Sequence, residues 1–162
     1  MELWEFGGPW PGKLAVCSRP RSGWFLEDDL RALHTAGYGL LISALTPGEV
    51  IAGELQRVPE LSAAVGLEFH HFPVGNLQVP PVARARPHIE AWFARLNAGA
   101  GIAVHCWGTV GRGPSLAAAL LVRGGVDPEE CWRRIATARG REVPDTLEQQ
   151  RWAANFAADA AG

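Results

Sequence analysis

One stretch constrains this chain more than any other: Gly101-Ile102-Ala103-Val104-His105-Cys106-Trp107-Gly108-Thr109-Val110-Gly111-Arg112-Gly113-Pro114-Ser115. Gly101 to Val104 reads as a buried strand, and the glycine-bearing segment after Cys106 as a loop. Leu116-Ala117-Ala118-Ala119-Leu120-Leu121-Val122 reads as a buried helix. Strand, loop and helix N-terminus make an anion site. Five residues lie between Cys106 and Arg112, enough to wrap one turn of backbone N–H groups, from Trp107 through Gly108, Thr109, Val110 and Gly111, around a tetrahedral oxyanion with the helix dipole behind them. Arg112 would close the ring as a two-pronged clamp. The positive environment that holds the anion also favours the thiolate of Cys106, so cradle and nucleophile arrive as one unit. A merely buried cysteine would explain neither the spacing nor the arginine.

The rest of the chain is read outward from this unit. At 162 residues, 48% hydrophobic and 20% charged, it can bury one core and is short for two. A single domain over 1–162 is expected, with 1–13 as an N-terminal strap and 104–115 as the phosphate-binding loop. A formal charge of −2 gives no bulk attraction to nucleic acid or to an anionic membrane. No apolar run approaches a membrane span and the first residues lack a signal-peptide pattern, so a soluble, cytoplasmic protein is the default expectation. Cys17, Cys106 and Cys131 are too few for a disulfide framework and read as reduced thiols; no metal spacing appears, and no cofactor is expected. Of the 15 cationic side chains only Lys13 is lysine, a compositional hint of a GC-rich bacterial source.

In chain order, the aromatic and glycine-broken opening to Lys13 is expected to lie over the domain as a strap, and Leu14–Cys17 to form a strand. Arg19 and Arg21 follow in a loop, where they either line an anion pocket or are simply solvated. Leu26, Leu30 and Leu33 recur at helical spacing before a strand at 39–45. Thr46-Pro47-Gly48-Glu49 reads as a capping box, which explains Glu49, although that residue could also face the site. A helix at 59–65 and a strand at 67–72 follow. His70 and His71, as strand neighbours, point to opposite faces and cannot easily share a metal. Ile89, Trp92, Phe93 and Leu96 mark a helix ahead of the Cys106 strand. Beyond the loop helix, Asp127-Pro128-Glu129 opens another, with Cys131 and Ile135 facing inward, and Asp145 or Thr146 caps the last, whose Trp152 and Phe156 pack back. Repeated alternation of strand and helix implies an α/β fold: a mainly parallel central sheet with helices on both faces.

The pieces together resemble the cysteine-dependent protein tyrosine and dual-specificity phosphatases, nearest the branch typified by the kinase-associated phosphatase. The likeness rests on His105-Cys106 with Gly111-Arg112, on Leu41–Leu45 with Thr46–Glu49, on Phe72-Pro73-Val74 with Val79-Pro80, and on Ala138-Arg139-Gly140 with Thr146-Leu147-Glu148-Gln149. It runs from about residue 40 to the C-terminus. The resemblance implies that Cys106 attacks phosphorus, that Arg112 and the loop amides hold the equatorial oxygens, that His105 braces the loop, and that Gln149 positions the water that hydrolyses a phosphocysteine. It also implies a phosphorylated protein or small-molecule substrate, and inhibition by phosphate, vanadate, tungstate and sulfate. Neither nucleic acid nor membrane is expected as a partner.

The chain departs from that pattern in three places. Gly113 stands where a Ser or Thr usually follows the arginine, with Ser115 two residues further on. Thr109 occupies a loop position that usually holds glycine. Aligning Pro73-Val74-Gly75-Asn76 with the family's acid-bearing loop puts Asn76 where an aspartic acid protonates the leaving group. General acid catalysis is worth roughly 10²–10⁴-fold, so weakened turnover on poor leaving groups is expected, with Glu49, His70 or His71 as substitute acids. Two classes stay open, a phosphomonoester hydrolase and a pseudophosphatase that binds a phosphorylated ligand.

Overall fold

The computed structural model describes residues 1–158. Its sheet has five strands: β1 (Leu3–Phe6), β2 (Lys13–Cys17), β3 (Leu40–Ser43), β4 (Glu68–His71) and β5 (Gly101–His105). They lie in the order β1-β2-β5-β3-β4, all parallel except the β1–β2 pair. The fold is thus an α/β domain built on a mainly parallel sheet.

Strands buried on both faces read as unbroken apolar runs, and successive side chains divide between two cores. Leu14, Val16, Leu40, Ile42, Ile102 and Val104 face one side; Ala15, Cys17, Leu41 and Ala103 face the other. Helices α1 (Leu26–Thr35) and α3 (Val58–Ala64) cover the second face. On the first, α5 (Arg112–Arg123) packs against α4 (Val82–Asn97), α6 (Pro128–Arg139) and α7 (Leu147–Ala153). Eleven of the twelve α5 residues are buried, which makes it the central helix. The short α2 (Pro47–Ala52) follows β3, opened by the expected capping box.

β2 leads through α1 to β3 and β4, and α4 then returns the chain to β5 between β2 and β3. Reversing direction while keeping right-handed crossovers puts α1 and α4 on opposite faces. The reversal leaves a crevice at the carboxyl ends of the strands, where open α/β sheets bind their ligands. Cys106 is the first residue past β5 there.

One expectation is corrected. The opening is not only a strap, because Leu3–Phe6 adds an antiparallel edge strand whose Leu3 pairs with Cys17 and Phe6 with Leu14. The Gly7-Gly8-Pro9 break masks so short an edge strand in the sequence. Among the described residues no helix is long and apolar enough to cross a membrane.

Candidate active site

A cleft of about 290 Å³ opens at the end of β5, lined by Cys106, Arg112, Glu49, Asn76 and Asp145, together with loop residues Trp107, Gly108, Val110 and Gly111. The loop amides are unspent. Among the described residues, no backbone N–H from Trp107 to Arg112 donates to a protein acceptor. Unpaired N–H groups at a helix N-terminus form an anion-binding concavity. Cys106 itself is 2% exposed.

Arg112, the first residue of α5, is fixed by a network rather than left to sample rotamers. Its Nη1 donates to Glu49 Oε2 at 2.7 Å and to the Val74 carbonyl at 2.8 Å, and its Nη2 donates to Glu49 Oε1 at 2.8 Å. The pair is two-pronged. The hydrogen bond from Arg112 holds the Glu49 carboxyl below the usual carboxylate range. Glu49 also accepts from Thr46 N at 2.8 Å, so a single side chain caps α2 and aims the arginine. The Val74 contact ties Arg112 to the loop carrying Asn76, and Trp152 Nε1 donates to the Pro80 carbonyl at 2.7 Å, anchoring that loop's far end to α7.

The loop is supported from below and outside. Thr109 has φ of 52°, in the left-handed region that β-branched residues avoid. Its hydroxyl donates to the Cys17 carbonyl at 2.8 Å, which holds the conformation. Thr109 is turned away from the cleft, unlike its four loop neighbours. His105 Nδ1 donates to the Cys106 carbonyl at 3.1 Å; burial pushes its pKa down to about 4, so the ring is neutral near pH 7. Arg139, to which the sequence assigned no role, donates through Nε to the Thr109 carbonyl at 3.1 Å and through Nη2 to the Gly108 carbonyl at 3.2 Å. Its guanidinium stacks over Trp4, joining the edge strand to the loop.

Gln149 is fully buried beneath Gly111. Its Oε1 accepts from the backbone N–H groups of Asp145 and Thr146, both at 3.1 Å, in a second capping box. Its Nε2 has no partner. A Cβ built on Gly111 would lie 2.5 Å from Asp145 Oδ2 and 2.7 Å from Gln149 Nε2, so the ends of both side chains rest directly on the loop backbone and would have to shift to admit a side chain there.

The remaining candidates fall outside the cleft lining. Ser115 Oγ donates to the Gly111 carbonyl at 2.7 Å, back along its own helix. Gly113 would accept a Cβ with nothing nearer than 3.6 Å, one of its neighbours being Cys106 N. Arg19 stacks over the Trp107 ring, 3.6 Å from its centroid, whereas Arg21 is spent on Asp29 at 2.6 Å. Of the suggested substitute acids, Glu49 is held as the anion. His71 Nε2 donates to the Leu45 carbonyl at 2.7 Å. His70 accepts from Trp92 and donates to Glu68. Neither histidine lines the cleft. Burial raises the Cys17 thiol well above its usual range and Cys131 to about 11, so both are poor nucleophiles.

A family described as the DSP-PTPase phosphatase of polymorphic toxin systems matches residues 16–126. Cyclin-dependent kinase inhibitor 3 of Homo sapiens is 23% identical over 133 residues, covering 81% of this chain; the chain spans 63% of that relative's length. A kinase-associated phosphatase structure, solved with its catalytic-site cysteine replaced by serine, superposes with a TM-score of 0.87 at 20% identity, covering 96% of this chain and 93% of that one. PTPMT1 in complex with PI(5)P superposes at 0.75 with 18% identity, covering 94% of each. These structural likenesses establish the fold, and the matched family spans more than half of the chain, including Cys106 and Arg112. The chain belongs to the DSP-PTPase phosphatases, within the cysteine-dependent dual-specificity and protein tyrosine phosphatase superfamily, near the kinase-associated phosphatase.

Proposed function

We propose that the chain hydrolyses phosphomonoesters through a covalent phosphocysteine on Cys106. The observation that carries this reading is the Cys106 loop, with its unspent N–H groups and an arginine fixed in a two-pronged pair by Glu49. In the first step the Cys106 thiolate attacks phosphorus; the S–P bond forms as the bond to the leaving oxygen breaks. The loop amides from Trp107 to Arg112 and the Arg112 fork take the charge on the three equatorial oxygens, and need no reorganisation to do so. In the second step water attacks phosphorus and the S–P bond breaks, releasing phosphate and the thiolate. To Gln149 Nε2, unpartnered and packed against Gly111, we assign a hydrogen bond to that water or to a phosphoryl oxygen. Asn76 lies in the cleft but has no acidic proton to give, so the loop that carries it supplies no proton to a departing alkoxide.

The substrate class is a phosphorylated protein or small molecule, and tetrahedral oxyanions such as phosphate, sulfate, vanadate and tungstate are expected to compete for the cradle. The test is an assay across aryl, peptide, lipid and metabolite phosphates, with Cys106→Ser as control. Turnover by the chain and its loss in Cys106→Ser support the reading. Tight binding of a phosphorylated ligand with no turnover of any ester would favour the second reading, a pseudophosphatase, to which Asn76 and Gly113 point.

A further inference from the structure

The cleft contains a carboxyl group for which the site as described has no use. Asp145 lines it beside Asn76, Cys106 and Arg112. Its Oδ2 overhangs Gly111, next to the unpartnered amide of Gln149. Thr146, not Asp145, supplies the cap of α7, and Asp145 contributes only its backbone N–H to Gln149. Among the described residues no cation pairs with its side chain. The other titratable groups lining the cleft are committed: Cys106 as nucleophile, Arg112 as clamp, and Glu49 as the partner that fixes Arg112.

We propose that Asp145 is the proton-transfer residue of this site, protonating the departing oxygen in the first step and accepting a proton from the attacking water in the second. The proposal rests on the phosphocysteine reading above. In the first step, as the S–P bond forms and the P–O bond to the leaving group breaks, the Asp145 carboxyl gives its proton to that oxygen and becomes the carboxylate. In the second, the carboxylate takes a proton from water as the new P–O bond forms and the S–P bond breaks, and the acid is restored. The residue sits on the short turn before α7, held by the hydrogen bond from its own N–H to Gln149, so the carboxyl needs no loop closure to reach the cleft. Asp145 thus does from the α7 side what an acid at position 76 would do from the Pro73–Pro81 side.

The experiment compares the wild-type chain with Asp145→Asn on a series of aryl and alkyl phosphates, and measures vanadate binding to both. A stabilised aryloxide leaves without a proton and an alkoxide does not. Asp145→Asn should therefore lose roughly 10²-fold on alkyl phosphates and little in the first step with the best aryl leaving groups. With those aryl substrates it should give a burst of phenol and accumulate phosphocysteine, because the second step has lost its base. Vanadate affinity should be unchanged. Unaltered leaving-group dependence with no accumulation, in an active wild type, would overturn the proposal and leave the phosphatase reading standing. An equal loss on every substrate with weakened vanadate binding would show a merely structural role, and also overturn it. A wild type inactive on all esters, with Cys106→Ser indistinguishable from it, would remove the phosphatase reading and this proposal together.

Discussion

Arg112 is a buried cation whose charge is tolerated because a carboxylate and a carbonyl oxygen meet it in fixed directions. Breaking such a buried pair by removing one partner is far more costly than losing an exposed one. The planar fork is what matches both Glu49 oxygens and, on binding, two oxygens of a phosphoryl group. Lysine keeps the charge and loses the fork. Arg112→Lys should thus lower turnover by roughly 10²–10³-fold, read as kcat together with a weaker inhibition constant for phosphate; near-normal kinetics would mean that the clamp is not bidentate. Gly113 bears on the other end of the reaction. A Cβ there meets nothing closer than 3.6 Å, and its backbone is helical, so Gly113→Ser should fold without strain and bring a hydroxyl near Cys106. A hydrogen bond to a charged group contributes about 1.5–3 kcal/mol. Phosphocysteine breakdown, followed in single-turnover experiments, should accelerate by about tenfold.

At the scale of elements, α5 does two jobs, presenting its N-terminus to the cleft and filling the core between α4, α6 and α7. Leu120 is fully buried there, so Leu120→Ala should cost about 2–5 kcal/mol, seen as a lower urea midpoint with little change in the slope. Why this helix was legible in advance is plain: an unbroken apolar run after a strand and a glycine loop has few other solutions. The parallel strands were legible for the same reason. β1 was not, since four residues ahead of Gly7-Gly8-Pro9 carry too little periodicity, and only pairing with β2 makes them a strand. The candidate site was legible where spacing encodes it, in Cys106 and Arg112, which the structure brings to one cleft, and less so where a residue makes contacts in two places. Glu49 satisfied the capping pattern by itself, so nothing in its neighbours required a contact 63 positions away at Arg112. Arg139 acts from 30 positions beyond Thr109, a distance at which no local pattern survives. Asp145 was masked by its position: either it or Thr146 could cap the last helix, and the structure gives that role to Thr146 and leaves Asp145 lining the cleft.

For the molecule as a whole, stability and activity meet at His105. The unfolded chain takes up a proton there below about 6.5, whereas the buried ring resists protonation until about 4. Over that interval the unfolded state binds more protons, so stability rises with pH and is lost on acidification. Carboxylates held low by their partners, such as Glu68 at about 2, matter only below the ordinary carboxylate value of 4.5. Melting temperature should consequently fall by a few degrees between pH about 6.5 and about 4.5, and His105→Asn should flatten that slope. The same burial keeps His105 neutral under the loop, where its Nδ1–H supports the Cys106 carbonyl. One sheet, two cores and a set of braces thereby converge on one sulfur atom. The most direct test is to quench the chain in acid during turnover of an aryl phosphate and determine by mass spectrometry which residue carries phosphate. The account predicts phosphate on Cys106, reversed by washing out substrate before the quench and absent in Cys106→Ser, which should also lose turnover. Turnover that persists in Cys106→Ser, or phosphate found on any other residue, would contradict it.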